Sequence, residues 1–280
     1  MDPLTPPINC LNCKKALETQ FHFCPECGQN IKTHRLSMFH FFHECFHAVT
    51  HADKGIFHLL KSLATKPGTT AREYLRGRRK TYFNPFTFFL LVMGMFVFLN
   101  MYFKPPEKKR VPDARVLERI SSEGGKHQYI SMMNRADQVS RVTRNNGNVL
   151  AMVAIPYISL VTWLFFRKSK YNYAEHLTAN LMFVTFSNLI FALLVFPLQS
   201  LFRNTPAQYY FYPIGFILQI VYLAWSLNGF LGLKSVASRT KSFAVSFLAI
   251  ILWVLLSITT MAVYIYQSKE FYKFFARMAG

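Results

Sequence analysis

Four of the five cysteines in this chain fall into two Cys-x-x-Cys pairs, a spacing that can bind a metal ion. Cys10 and Cys13 form the first pair, and Cys24 and Cys27 form the second, ten residues further on. Each turn can point two thiolates at one ion, and four thiolates complete the tetrahedral shell that Zn²⁺ prefers. Because no position is left open for water, we expect one structural zinc per chain, with two redox dithiols as the alternative.

A second group of possible metal ligands is formed by four histidines, His40, His43, His47 and His51. Part of it, His43-Glu44-x-x-His47, has the form of the zincin motif, in which two histidines hold zinc and the glutamate activates water. The same four histidines also fit a second metal patch, a pH-responsive patch, or a wet face at the level of the lipid headgroups. The case for an enzyme rests on this pentapeptide alone, so we favour a non-enzymatic function.

A third group of chemically capable residues lies at the edge of an apolar stretch and consists of Glu175, His176 and Asn180. Ionisable groups inside a membrane often mark a functional site, whereas at the edge of a span they are often ordinary interface residues. We name these three residues as a possible intramembrane polar site.

The elements that must position these groups are dominated by long apolar runs. Residues 86–103 contain no charge, and at ~1.5 Å per residue a helix of this length covers roughly 27 Å, close to the hydrocarbon thickness of a bilayer. Further spans are predicted near residues 149–166, 177–201, 213–233 and 243–266. The predicted fold is an all-α polytopic membrane protein with about five transmembrane helices, an N-terminal zinc ribbon over residues 1–34, and a polar loop over residues 104–148.

Residues 35–85 are predicted to form amphipathic, interfacial helices and a basic membrane anchor. At helical spacing, residues 36–50 place phenylalanines on one face and the histidines on the other. The basic residues from Arg76 to Lys80 directly precede the first span, where they suit anionic lipid headgroups.

Composition supports the membrane class. The 280 residues are 52% hydrophobic and only 16% charged, yet the net charge is +19. Since the basic residues flank apolar spans, they argue for contact with phospholipid and against nucleic acid as the partner. The first residues have no basic region followed by an apolar one, so we expect a cytoplasmic N-terminus and a multi-pass protein of the cell membrane.

One motif just before the first span resembles a known family. Its residues are Glu73-Tyr74-x-x-Gly77-x-Arg79-Lys80-x-Tyr82-x-Asn84-Pro85-Phe86, following the ribbon, His51-Ala52-Asp53-Lys54-Gly55 and Lys66-Pro67-Gly68. This order resembles an uncharacterised bacterial family of integral membrane proteins, catalogued only as a domain of unknown function. The resemblance covers roughly residues 10–103 and implies an architecture without any assigned chemistry.

Three functions are compatible with these features. The first is a binding or scaffold protein of the cytoplasmic membrane, with a zinc ribbon available to a protein partner. The second is a small transporter, although its spans hold no charge between their ends and no internal repeat is evident. The third is a membrane metalloprotease that uses His43, Glu44 and His47. We favour the first.

Overall fold

A computed structural model describes residues 9–17, 21–31, 55–103 and 111–267. The predicted helix over residues 36–50 lies outside these ranges, and so do His40, His43, His47 and His51. The described helices, in chain order, are α1 Ile56–Thr65, α2 Pro67–Leu75, α3 Pro85–Phe103, α4 Ala114–Arg119, α5 Glu123–Asn145, α6 Gly147–Phe165, α7 Tyr173–Leu201, α8 Phe211–Leu231 and α9 Val236–Tyr266. A short 3-10 helix, Pro206–Tyr210, leads directly into α8.

Within the described ranges, five helical segments are long and apolar enough to cross a membrane: α3, α6, α7, α8 with its preceding 3-10 turn, and α9. The predicted fold class is therefore confirmed, and the chain is a multi-pass membrane protein. Large apolar side chains such as Phe98, Leu194 and Leu218 have more than half of their surface exposed on the outside of the bundle. Such a surface requires lipid rather than water around it.

The central helix of the bundle is α7, which packs against α3, α6 and α8. In the most apolar 18-residue stretch of α7, 61% of the residues are buried inside the protein, whereas the corresponding share in α9 is 17%. The long run of α7 therefore faces other helices, and the equally apolar run of α9 faces lipid. Hydropathy alone does not separate these two cases, because both environments are apolar.

The spans begin and end at residues suited to those positions. The Asn84 side chain accepts a hydrogen bond from the Phe86 N–H at 2.8 Å, and Pro85 occupies the first turn of α3. A left-handed Gly232, with φ of 68°, ends α8. These local signals fix where each apolar run enters and leaves the bundle.

Two helices, α1 and α2, lie across one end of the bundle, which we call the ribbon end; the opposite end, where α5 lies, is the loop end. Lys66 is the single residue between α1 and α2, because Pro67 starts a new helix. A Cβ atom at Gly68 would lie 2.2 Å from the Phe230 nitrogen, so only glycine permits this approach of α2 to α8. The backbone of Gly229 faces Gly68 across the same contact.

The segment 104–148 differs from the predicted polar loop, since over residues 111–148 it contains α4 and α5. Ser122 caps α5 by accepting a hydrogen bond from the Gly125 N–H at 3.1 Å. The Arg135 Nε donates to the Ile265 carbonyl of α9 at 2.7 Å. The capping residue and contacts with the end of α9 hold a polar helix whose sequence has too few apolar residues to predict it.

Candidate metal centre and its contact with the membrane anchor

The ribbon is built from two turns with the same backbone hydrogen bonds. The Cys10 N–H donates to the Lys15 carbonyl, and the Cys24 N–H donates to the Gln29 carbonyl, each at 2.8 Å. Isolated antiparallel bridges flank the two turns, between Asn9 and Ala16 and between Phe23 and Asn30. Two equivalent turns facing one another are the arrangement that brings four thiols to one point.

Each turn needs a left-handed residue four positions after its first cysteine. In the second turn this residue is Gly28, with φ of 67°, and in the first it is Lys14, with φ of 70°. Glycine adopts this conformation without strain, whereas a residue with a Cβ atom does so at a cost. The first turn is therefore the more strained of the two.

The four cysteine Sγ atoms converge within 4.8 Å of one another, as the Cys-x-x-Cys spacing predicts. The Sγ atoms of Cys10 and Cys27 lie 3.6 Å apart, as do those of Cys13 and Cys24, and all four thiols are free. A tetrahedral Zn²⁺ with bonds of about 2.3 Å requires edges of about 3.8 Å. The donor set and its spacing therefore fit a closed four-sulfur metal site, and both observed separations are far from a disulfide bond.

The surroundings of Cys24, the first cysteine of the second turn, favour its thiolate form. Burial alone would raise the pKa of Cys24, but hydrogen bonds from the backbone N–H groups of Cys27 and Glu26, together with the neighbouring thiols, lower it to about 7. A thiol must lose its proton to bind a metal ion. The turn thus prepares one ligand for metal binding near neutral pH.

The ribbon is joined to the segment that leads into α3, which we call the anchor loop, residues 76–84. The Asn12 Oδ1 accepts hydrogen bonds from the backbone N–H of Thr81 at 3.0 Å and from the Thr81 hydroxyl. The buried Gln29 accepts one from the backbone N–H of Lys80 at 3.1 Å. One contact comes from each turn of the ribbon, so the two cysteine turns and the entrance to the first span form one unit.

Asn12 and Gln29 are functional residues that sequence reasoning missed. Asn12 fills one of the two spacer positions between Cys10 and Cys13, and Gln29 follows the second turn, so neither belongs to a recognisable motif. The available signal is weak: both are polar amide side chains within two residues of a cysteine of the ribbon.

The anchor loop is also held from the other side, by α1 and α2. Glu73 accepts hydrogen bonds from the Tyr82 hydroxyl at 2.7 Å and from Arg78 at 2.8 Å. Burial raises the pKa of Glu73, but the hydrogen bond from Tyr82 and the charge and hydrogen bond of Arg78 together lower it by more. The pKa of Glu73 therefore lies below the usual carboxyl value. Gly77, with φ of 101°, makes the turn that brings Arg78 and Tyr82 back to Glu73. The motif residues thus build a fixed bend directly before the first span.

Some of the basic residues predicted to meet anionic headgroups are bonded to other protein groups, whereas others are exposed. Arg78 is paired with Glu73, and the upstream Arg72 donates to the Gly229 carbonyl at the end of α8. Arg76 and Lys80 are exposed. At the same end of the bundle, the exposed cations also include Arg167, Lys168, Lys170, Lys234 and Arg239.

The predicted intramembrane residues lie at the start of α7, and all three are buried. Glu175 forms a capping box with Asn172, so its carboxylate accepts from the Asn172 N–H at 2.7 Å. His176 and Asn180 are brought together through the Thr162 hydroxyl of α6, at 3.4 Å and 2.9 Å. The structure thus separates a helix cap from a buried polar cluster, and Thr162 is a member that sequence reasoning missed.

The buried cluster retains two polar atoms without a hydrogen-bond partner among the described residues, the His176 Nε2 and the Asn180 Oδ1. Both side chains are fully buried. Orphaned polar atoms of this kind are costly in a protein interior, and they need water or a ligand.

Comparison with known proteins adds one match. A family model described as a protein of unknown function, DUF3667, matches residues 53–97. No curated protein and no solved structure matches the chain. The matched stretch contains the bend formed by Glu73, Arg78 and Tyr82 and most of α3. Over this stretch the chain resembles a family without an assigned activity.

Proposed function

We propose that this integral membrane protein is a binding or scaffold protein, in which a zinc-bound ribbon is displayed at the cytoplasmic surface of the cell membrane. The observation that carries the proposal is the docking of the ribbon on the anchor loop through Asn12 and Gln29. A ribbon tethered only by a flexible chain would need no such contacts. A docked ribbon presents its outer surface in a defined orientation to a partner.

The proposed role of the metal is structural. Cys10, Cys13, Cys24 and Cys27 would supply all four ligands, which leaves no position for a substrate or a reactive water. A module of this size has almost no core of its own, so we expect its fold to depend on the metal. Loss of zinc should therefore remove both the ribbon and its contacts with the anchor loop.

The ribbon has a surface suited to a protein partner. Phe23 is 59% exposed and Phe21 is 37% exposed, and both lie just before the second Cys-x-x-Cys pair. Exposed aromatic residues on a rigid turn are frequent anchors of protein interfaces. We propose that these two phenylalanines contact the partner.

The proposed orientation places the ribbon end in the cytoplasm. Among the described residues, the exposed cations at the ribbon end include those of the anchor loop, the 166–172 and 232–235 connections and the start of α9: Arg76, Lys80, Arg167, Lys168, Lys170, Lys234, Arg239 and Lys241. Short connections rich in lysine and arginine stay on the cytoplasmic side, where they meet anionic headgroups.

Site-specific photocrosslinking tests the scaffold proposal. A photoreactive phenylalanine analogue placed at Phe23 of the full chain, in its native membrane, should yield one adduct of discrete mass with a second protein. The same analogue at Ala16, which is also exposed on the ribbon, is the matched control. Cys24→Ser should abolish the adduct because it removes a metal ligand. Equal yields from Phe23 and Ala16, or an adduct that persists in the Cys24→Ser variant, would contradict the proposal.

The buried cluster of Thr162, His176 and Asn180 favours a second candidate function, proton or solute transport. An ionisable side chain such as His176, buried in the interior of a membrane bundle, often marks a substrate or proton path. Proteoliposomes loaded with a pH-sensitive dye provide the measurement. Proton flux above that of empty vesicles, lost on His176→Ala, would support transport, and flux equal to that of empty vesicles would exclude proton translocation.

A further inference from the structure

The membrane bundle contains a cavity that neither the ribbon nor the anchor loop uses. Its volume is about 840 Å³, and helices α3 and α5 to α9 line it. Phe183 and Ser200 both face it, and their separation of 17 residues on α7 corresponds to a depth of about 26 Å. The cavity is therefore elongated along α7. This length suits an extended chain.

The walls of the middle part are aromatic. Phe191 lies 6.0 Å from Phe196 and 6.1 Å from Phe216 between ring centroids, and Phe96 lies 5.0 Å from Phe196. All four rings line the cavity. Such a collar offers large apolar contact area and disfavours hydrated ions.

The loop-end mouth of the cavity is polar and carries one kind of charge. Among the described residues that line the cavity, only Arg203 is charged. One terminal nitrogen of its guanidinium donates to the Phe103 carbonyl at 3.2 Å and to the Ser200 hydroxyl at 3.3 Å. These two bonds hold the side chain at the mouth. A guanidinium fixed in this way can bind the two oxygens of a carboxylate through its remaining N–H groups.

One side of the cavity is closed by α5, the helix that replaces the predicted loop. Ala136, Val139 and Ser140 of α5 line the cavity at helical spacing. The helix is held in place at its other faces, since Gln138 accepts a hydrogen bond from the Tyr264 hydroxyl of α9 at 2.9 Å. The cavity is thus lined by a polar helix near its mouth and by apolar spans at depth.

We propose that this cavity binds a long-chain fatty acid, with its carboxylate on Arg203 and its alkyl chain passing through the aromatic collar of Phe96, Phe191, Phe196 and Phe216. Charge complementarity selects an anionic head, because the single cation has no acidic neighbour among the described lining residues. The length of about 26 Å suits an extended alkyl chain behind that head. This inference is independent of the proposed role of the ribbon.

Photoaffinity labelling of the full-length protein in zwitterionic nanodiscs tests the proposal. The probe is a palmitic acid analogue with a photoreactive group in its chain, and mass spectrometry locates the adducts. We expect adducts on the collar residues Phe191 and Phe216. Arg203→Gln should reduce labelling at sub-saturating probe by about tenfold or more, because a hydrogen-bonded charge pair is lost. Arg239→Gln, which removes an exposed arginine at the ribbon end, should leave labelling unchanged.

Two further measurements test the proposal. The first is a competition assay on the unaltered protein, and the second is labelling of a variant whose cavity is filled. Palmitic acid should displace the probe, whereas its methyl ester should compete at least tenfold more weakly. Ser187→Phe places a ring in the cavity and should abolish labelling without changing the unfolding midpoint. Adducts confined to lipid-facing residues, equal competition by the ester, or tenfold stronger competition by hexadecyl phosphate would overturn the fatty-acid assignment.

Discussion

The contact between Asn12 and Thr81 offers a sharp test of ribbon docking. The Asn12 Oδ1 accepts two hydrogen bonds from one residue of the anchor loop, from its backbone N–H and from its hydroxyl. Asn12→Ala deletes both while leaving Cys10 and Cys13 as metal ligands. The substitution therefore separates docking of the ribbon from folding of the ribbon.

The expected magnitude follows from the number of bonds and from their burial. A hydrogen bond contributes about 0.5–1.5 kcal/mol net, so two bonds set an upper range of about 1–3 kcal/mol. Asn12 and Thr81 are both partly exposed, so water recovers some of this loss, and we expect about 1–2 kcal/mol. That corresponds to a roughly five- to thirtyfold increase in the undocked population. The remaining bond between Gln29 and Lys80 keeps the loss partial.

Hydrogen exchange in nanodiscs, read by mass spectrometry, measures this population. The Thr81 N–H loses its acceptor when the ribbon undocks, so peptides covering residues 76–84 should exchange about tenfold faster in Asn12→Ala. Zinc content should be unchanged. The matched control is Asn9→Ala, which removes an exposed asparagine from the same turn. If residues 76–84 exchange at the wild-type rate in Asn12→Ala, the ribbon does not brace the anchor loop.

Three other substitutions have distinct expected outcomes. Gly68→Ala places a Cβ atom against the backbone of α8 and should lower the free energy of unfolding by about 1–3 kcal/mol. Gly94→Ala is the control, because its Cβ atom meets nothing within 4 Å and should be neutral or stabilising. Equal unfolding midpoints for the two variants would contradict the close packing of α2 against α8. Lys14→Gly removes the backbone strain of a left-handed lysine and should stabilise the ribbon by up to about 1 kcal/mol. The measurement is the rate of zinc loss to a chelator, which should be slower in the variant. Faster zinc loss would refute the strain at Lys14. Tyr82→Phe removes a donor to the Glu73 carboxylate and should cost about 1–2 kcal/mol at pH 7. Because the pKa of Glu73 is lowered in the folded protein, the ionised carboxylate stabilises the fold fully above the ordinary carboxyl pKa, and this stabilisation is lost as the pH falls through the folded pKa. The difference in free energy of unfolding between Tyr82→Phe and wild type should therefore shrink in acid. A free-energy difference that stays constant from pH 7 to pH 3 would argue against the pair.

The membrane spans and the convergence of the cysteines could be predicted because both are local in sequence. An uninterrupted apolar run such as residues 86–103 has one stable environment, and a Cys-x-x-Cys turn orients its own thiols. His176 and Asn180 are four residues apart, so helical spacing places both on one face of α7. In each case the information lies within a few residues of the chain.

The parts that escaped prediction depend on contacts between distant residues. Asn12 meets Thr81 across 69 positions, and Thr162 reaches Asn180 from another helix. Helix α5 has too polar a sequence to predict a packed element, yet Arg135 ties it to α9 across 130 positions. The cavity arises from five spans and α5 together, so no segment by itself indicates it.

The proposed fold and docking of the ribbon both depend on a metal ion bound by its four cysteines. X-ray absorption at the zinc edge, together with metal analysis of the purified full-length protein, tests it in one experiment. We expect one zinc per chain, surrounded by four sulfur atoms at about 2.3 Å, and its loss in Cys24→Ser. A second zinc bound by nitrogen and oxygen, or a protein whose four cysteines carry no metal, would contradict it.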